Sequence, residues 1–155
     1  MSSVGAVRLS VTPSGDPAVI TDNGNTFMKK GKKWVRIKGC AKDLAFGHNG
    51  QIFKLGCTRN RAGYRIYSYA GKERGWKRFP VGGGIALAVD AAGDPWVINA
   101  HKTVFKWDSI DERWISMGLR GQAHEIAAGP EGHVYVLAGA FIDLGGYRIL
   151  RWAGD

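Results

Sequence analysis

Apolar residues recur along the chain in short runs that alternate with polar ones, and every run is closed by Gly, Pro, Asn or Asp. The stretch Trp76 to Trp107 shows it most fully. An aromatic-led segment (Trp76 to Phe79) precedes a glycine turn (Gly82 to Gly84) and a small-residue apolar segment, Ile85 to Val89. A tight turn at Ala92-Gly93-Asp94 leads to Trp96-Val97-Ile98, a polar link at Asn99 to Lys102, and Val104 to Trp107. Each piece is too short for a helix with a buried stripe, so the pattern predicts four strands of one meander. Val7, Leu9 and Val11 alternate with Arg8 and Ser10, the period of a strand with one dry face. Further strands are expected at Ala18–Ile20, Thr26–Met28 and Trp34–Ile37, then at Asp43–Gly47, Gln51–Leu55 and Tyr64–Tyr69. Glu112–Ser116, His124–Ala128, His133–Leu137 and Tyr147–Trp152 complete the set. Longer loops are expected over Cys57–Gly63 and Ala138–Gly146.

The meander repeats. Turn glycines fall at Gly15, Gly50, Gly93 and Gly132, separated by 35, 43 and 39 residues, and the leading Trp34, Trp76 and Trp114 are 42 and 38 apart. A period of roughly 40 with four strands per unit marks β-propeller blades, which bury their faces only against one another. The expected fold is therefore all-β, one domain over residues 1–155. It is an array of four blades at about 6–38, 43–80, 84–117 and 124–152, the last lacking its outer strand. Met1 to Gly5 are too few and too polar to close such a ring, which leaves an edge open and makes assembly an expectation. A piece of a longer protein, a strand or blades from a second chain, and an imperfectly closed four-blade ring all fit.

The order of leading Trp, Gly-containing turn, Ala-containing inner strand, (D/N)G turn, aromatic-Val second strand and aromatic-tipped third strand resembles the tectonin repeat. Trp34 to Tyr69, Trp76 to Trp107 and Trp114 to Trp152 carry the resemblance, with a weaker copy at Val7 to Lys30. The first unit departs from the pattern, having Ala18 and Lys30 where aromatics are expected. The resemblance implies a propeller lectin or recognition module that binds glycans or lipopolysaccharide. It also implies about six blades, against the four units here.

Composition changes this picture in three ways. The net charge of +9 is concentrated: residues 29–78 carry 15 Lys and Arg against Asp43 and Glu73, while the rest of the chain holds 7 basic and 11 acidic residues. A cationic region of this kind suits phosphate, sulfate or an acidic partner, and Lys29, Lys30, Lys32, Lys33, Arg59 and Arg61 are its candidate polyanion patch. The competing reading is a solvated outer face guarded by edge lysines. Nucleic acid, through Arg59, Arg61, Arg65 and Arg74, has charge alone behind it. Cys40 and Cys57 match no metal motif; reduced thiols are favoured over a disulfide, although an antiparallel pair would put both at one end of a blade. No apolar run approaches a membrane span, and the first residues lack a signal peptide's basic and apolar regions, so a soluble chain, cytoplasmic by default, is expected.

No catalytic constellation emerges. The serines lack a G-x-S-x-G elbow, and His124 and Glu125, adjacent on a strand, point to opposite faces. Gly82-Gly83-Gly84 precedes a strand where a phosphate loop needs a helix. A non-enzyme without cofactor or metal is expected. In a propeller the loops before the inner strand and after the second strand gather on one face, placing Asp22, Asn23, Asp43, Asn99, His101, Gln122 and His124 in a ring. These residue types supply the hydrogen bonds that sugar hydroxyls need, although each also serves as an ordinary turn residue. Trp34, Trp76 and Trp114, like Trp96, Phe53 and Tyr135, suit blade-to-blade packing better than sugar platforms. The expected partner is a glycan or lipopolysaccharide. The alternative is a structural or protein-interaction subunit, with a protein partner or homo-oligomer completing the ring.

Overall fold

The computed structural model describes residues 5–142 and 145–152. Fifteen strands form four antiparallel meanders, and no helix occurs among the described residues. Blade 1 holds β1 (Arg8–Val11), β2 (Pro17–Ile20), β3 (Thr26–Lys30) and β4 (Lys33–Ile37). Blade 2 holds β5 (Asp43–Phe46), β6 (Ile52–Asn60), β7 (Gly63–Tyr69) and β8 (Trp76–Arg78). Blade 3 holds β9 (Ala86–Val89), β10 (Pro95–Ile98), β11 (Val104–Asp108) and β12 (Arg113–Gly118). Among the described residues blade 4 holds β13 (Ala123–Ala128), β14 (Val134–Ile142) and β15 (Gly146–Trp152). The inner strands β1, β5, β9 and β13 neighbour one another in that order, which is the arrangement of propeller blades about an axis. The sequence segments Met1–Val4 and Ala153–Asp155 lie outside the described residues.

The register within each meander makes residues of different blades equivalent. Leu9, Leu44, Leu87 and Ile126 share one position on the face turned to the preceding blade. Ala18, Phe53, Trp96 and Tyr135 share one on the face turned to the following blade. The joints between blades are built from these two faces. Ala18 and Ile20 pack on Ala41 and Leu44; Phe53, Leu55 and Ile66 on Leu87, Val89 and Val97; Trp96, Ile98 and Val104 on Ile126, Val134 and Val136. Burying each such side chain contributes about 1.5–3 kcal/mol, so the joints carry the stability that no lone meander has. Blades converge on the axis, so the inner strands place small residues such as Ser10, Ala45, Ala88 and Ala127 on the face toward the next blade.

Two outer-strand tryptophans lock the connectors. The indole N–H of Trp76 donates to the carbonyl of Lys38 (2.7 Å) and that of Trp114 to Val81 (3.2 Å). The next residue in each connector, Gly39 or Gly82, has positive φ (95° and 91°) and lies beneath the indole; a Cβ on Gly82 would collide with the Trp114 ring, and one on Gly39 with the Lys54 ammonium. This agrees with a packing role for these tryptophans. Trp34, at the equivalent position of blade 1, is half-buried beneath the Lys29 ammonium instead.

Two expectations are corrected. Cys40 and Cys57 form a disulfide with Cα atoms 5.6 Å apart, not two reduced thiols. The connector brings Cys40 back over blade 1, where the backbone of Gly24, lacking a Cβ, leaves room for both sulfurs, and Ala41 N–H donates to Gly24 C=O (2.9 Å). The expected loops at 57–63 and 138–146 are in large part strand among the described residues. β6 runs on to Asn60, which pairs with Gly63, and β14 runs on to Ile142, which pairs with Gly146. A register shift in each hairpin absorbs extra residues that alternation alone reads as loop.

Candidate functional site

The blade connectors and the β2–β3, β6–β7, β10–β11 and β14–β15 links gather on one face of the ring, bound to one another by backbone hydrogen bonds. Ala100 N–H donates to Ala62 C=O (2.8 Å), while Gln122 and Ala123 both donate to Lys102 C=O (3.2 and 3.0 Å). Lys102 adopts φ +56° to present that carbonyl, an unusual conformation for a non-glycine residue.

At the junction of blades 3 and 4 this face carries an aromatic platform. The His124 ring stacks on Tyr147 with centroids 3.7 Å apart and planes 17° apart, and Phe141 meets Tyr147 edge-on at 5.5 Å. Phe141 is 66% exposed. Lys102 Nζ lies 3.3 Å from His124 Nδ1, and His124 Nε2 lies 3.1 Å from Gly139 C=O. An ammonium only donates and a carbonyl only accepts, so the two contacts match Nδ1 as acceptor and Nε2–H as donor and hold the ring from both sides. Gln122 is exposed beside it and makes no side-chain hydrogen bond among the described residues. Aromatic rings and an ammonium thus meet at this junction, with exposed Gln122 two residues from His124 in sequence.

The ring of expected site residues is only partly assembled. His101, Gln122 and His124 belong to this junction; Asp22 and Asn23 sit on the blade 1 turn, where Asp22 accepts from Asn23 N–H (2.8 Å). Asn99 is buried, and its side-chain oxygen accepts from the amides of His101 and Thr103 (both 3.0 Å), so it is spent on its own turn. Asp43 stands at the axis. Its oxygens accept from Leu44 N–H (3.0 Å) and, across the joint, Leu87 N–H (2.9 Å). Burial nevertheless raises its carboxyl to about 6, against the opposing pull of those amides and of Arg8.

Asp43 helps to line an axial cleft of about 480 Å³ formed by all four inner strands. Arg8 and Glu125 approach across the axis at 4.0 Å, an exposed pair of small energetic weight.

The basic residues fall in two places. Lys30 and Lys33 flank the β3–β4 hairpin, with Lys29 bonded to Lys32 C=O (3.3 Å). Arg59 and Arg61 sit at the β6–β7 hairpin, at the opposite end of a blade, where Arg59 covers the Tyr64 ring at 5.0 Å. They do not form one continuous patch. A different lysine is enclosed: Lys54, 4% exposed, stands where blades 1, 3 and 4 have Val19, Val97 and Val136. Its ammonium lies over Trp76 at 4.2 Å, and burial lowers its pKa to about 8.

Phe141, Tyr147 and Lys102 were absent from the expected ring. One sequence signal marks two of the platforms: Gly63-Tyr64-Arg65-Ile66 recurs as Gly146-Tyr147-Arg148-Ile149. The two tyrosines occupy equivalent strand positions, one covered by Arg59 and the other by His124.

No protein-family profile and no curated protein matches the chain. Solved structures do, at the level of fold. An auxiliary nutrient binding protein from Bacteroides thetaiotaomicron superposes with TM-score 0.69 at 16% identity, over 95% of this chain and 38% of that one. YCF48 bound to D1 peptide superposes with TM-score 0.56 at 16% identity, over 81% and 44%. The tricorn protease superposes with TM-score 0.66 at 14% identity, over 95% and 15%. The chain therefore has a β-propeller fold and spans less than half the length of each of these structures. No described helix is long and apolar enough to cross a membrane, and no cluster of three potential metal-ligating side chains occurs among the described residues.

Proposed function

We propose that the chain is a non-catalytic, tectonin-like recognition module that binds a glycan, including the glycan of lipopolysaccharide, at shallow sites on the connector face. The observation that carries this reading is the His124–Tyr147–Phe141 platform beside Gln122 and Lys102. Sugar CH faces stack on aromatic rings, and the amide and ammonium supply hydroxyl partners. The related Arg59–Tyr64 pair offers a second, more cationic surface suited to sulfated or phosphorylated sugars. Weak sites of this kind reach useful strength through multivalency. The Bacteroides thetaiotaomicron structure is named as an auxiliary nutrient binding protein, which is compatible with a ligand-binding propeller. A glycan array and a lipopolysaccharide pull-down with the full chain test the reading. Binding that falls at least tenfold in Tyr147→Ala and Gln122→Ala is expected, and absence of binding on both supports would overturn it.

A second reading, a protein-interaction subunit of a larger assembly, is favoured by the end blades. Leu9 is 71% exposed and Ile149 is 70% exposed, at positions buried in every internal joint. Native mass in solution discriminates: a mass above one chain, reduced to one chain by Leu9→Asp, is expected if these faces are used.

A further inference from the structure

The glycine run Gly82-Gly83-Gly84 is clamped at each residue. Gly82 lies beneath Trp114, a Cβ on Gly83 would stand 2.7 Å from Asn60 Oδ1, and Gly84 exchanges backbone hydrogen bonds with Tyr64 (2.7 and 3.0 Å). Asn60 completes the clamp, its Nδ2 donating to Gly82 C=O (2.9 Å) while its Oδ1 accepts from Ala62 N–H (2.9 Å). The connector from Pro80 to Gly82 is therefore a fixed wall, and a cleft of about 130 Å³ lies between it, Asn60, Arg65 and Arg78. Blades 1 and 3 flank this blade on both sides, so the cleft does not depend on the ends of the array.

Donors without acceptors line the cleft. Arg78 pairs with Tyr67, and Arg65 stands two residues before Tyr67, so both side chains leave the same face of blade 2. Other arginines are engaged: Arg36 donates to Asn25 Oδ1 (2.6 Å), Arg113 pairs with Asp111 (2.9 Å), and Arg59 lies over Tyr64. Arg78 and the half-buried Arg65 have no acid within 4.0 Å and no hydrogen-bond acceptor among the described residues. The N–H groups of Val81 and Gly82 also donate to nothing among the described residues. Gly82 has φ +91°, and a change in the sign of φ between neighbours turns successive amides toward one anion.

No carboxylate lines the cleft. The acids of blade 2 are placed elsewhere. Asp43 accepts from Leu44 and Leu87 at the axis, and Glu73 lies in the β7–β8 turn, at the end of the blade away from the β6–β7 hairpin. Lys54, Arg59 and Arg61 add positive charge on the neighbouring strand and hairpin.

We propose that this cleft is a binding site for one tetrahedral oxyanion, carried on a ligand as a sulfate ester or phosphate monoester. The Arg65 and Arg78 guanidiniums supply forked donors matched to such a group, and the amides of Val81 and Gly82 supply fixed ones. The space equals that of about four waters at roughly 30 Å³ each, which admits a single group and not a stretch of polyanion backbone. The site deepens the glycan reading and rests on it only for the carrier, since the oxyanion itself tests the cleft.

The full chain is titrated with sodium sulfate, sodium phosphate, glucose 6-sulfate and glucose 6-phosphate, with ionic strength held constant by chloride, and followed by backbone NMR shifts. Saturable shifts centred on Val81, Gly82 and Arg65 are expected with both esters. Arg65→Gln is expected to lower affinity at least tenfold, and Lys77→Gln, which removes the same charge from the opposite face, less than twofold. If Arg65→Gln loses its circular dichroism, Arg78→Gln replaces it with the same reading. Binding of the inorganic ions without the esters is an adventitious ion only and would overturn the proposal. So would equal affinity in Arg65→Gln and Lys77→Gln, or shifts centred on the Lys29 to Lys33 hairpin. Tyr147→Ala is expected to keep the ester shifts. Ester binding in a chain that binds no glycan at Tyr147 sinks the glycan reading alone, and glycan binding there without any ester shift at Gly82 sinks this site alone.

Discussion

The joint between blades 2 and 3 and the free ends of the array use the same residue types in the same register, with opposite outcomes. Leu87 is 6% exposed against Phe53 and Ile66, whereas Leu9, its equivalent in blade 1, is 71% exposed. Ile66 and Val104 are buried at 1% and 0%, whereas Ile149, their equivalent in blade 4, is 70% exposed. A repeat pattern thus defines the chemistry of a face, and only a neighbour turns that chemistry into stability.

The largest expected contrast comes from truncating equivalent leucines. Leu87→Ala is expected to cost about 3 kcal/mol through lost burial and a cavity, and Leu9→Ala under about 0.5 kcal/mol, in denaturant melts of the dilute chain. A comparable loss for Leu9→Ala would mean that the end face is covered in solution. Next comes the joint of blades 1 and 2, the one stitched by Cys40–Cys57, whose buried cluster is confined to Ala18, Ile20, Ala41 and Leu44. Reducing this bridge, which spans 17 residues, should cost about 3 kcal/mol in the chain-entropy account, with hydrogen exchange rising first in blade 1.

Asp43 and Glu125 are equivalent residues, one roofed by the following blade and the other open. The folded Asp43 carboxyl is raised from 3.8 to about 6, so its contribution is full below pH 4 and is lost as the pH rises through 6. Stability is therefore expected to fall by up to about 3 kcal/mol between pH 4 and pH 7, a slope that Asp43→Asn flattens and Glu125→Gln, removing only the smallest contribution to the shift, reduces slightly. The smallest contrast concerns the connector glycines. Gly121→Ala should cost about 1 kcal/mol for its positive φ alone, whereas Gly82→Ala adds a Cβ 2.5 Å from the Trp114 indole nitrogen and should cost about 1 kcal/mol more. Equal costs in thermal melts would show that the indole seat is not a rigid feature of the joint.

Most of the fold was legible in the chain. Alternation such as Val7-Arg8-Leu9-Ser10-Val11 and turn glycines near every fortieth residue specify strands and their order, because both are local consequences of pleat geometry and of positive φ. The glycan candidates were less legible. Asn99 and His101 look alike as polar turn residues, yet one is buried in its own turn and the other exposed, a distinction that depends on which way the turn folds back. The platform escaped notice because Phe141 and Tyr147 lie in hairpins whose register shifts interrupt the alternation.

The sequence by itself determined four meanders, their repeat register and a basic segment over residues 29–78, since each follows from spacing along one chain. Tertiary structure decided which cationic residues share a face, that Cys40 meets Cys57, that Lys54 is enclosed over Trp76, and that His124 lies on Tyr147. Those pairings join residues of different strands or connectors, and their geometry depends on the twist of each blade and its rotation about the common axis. No local pattern encodes that rotation.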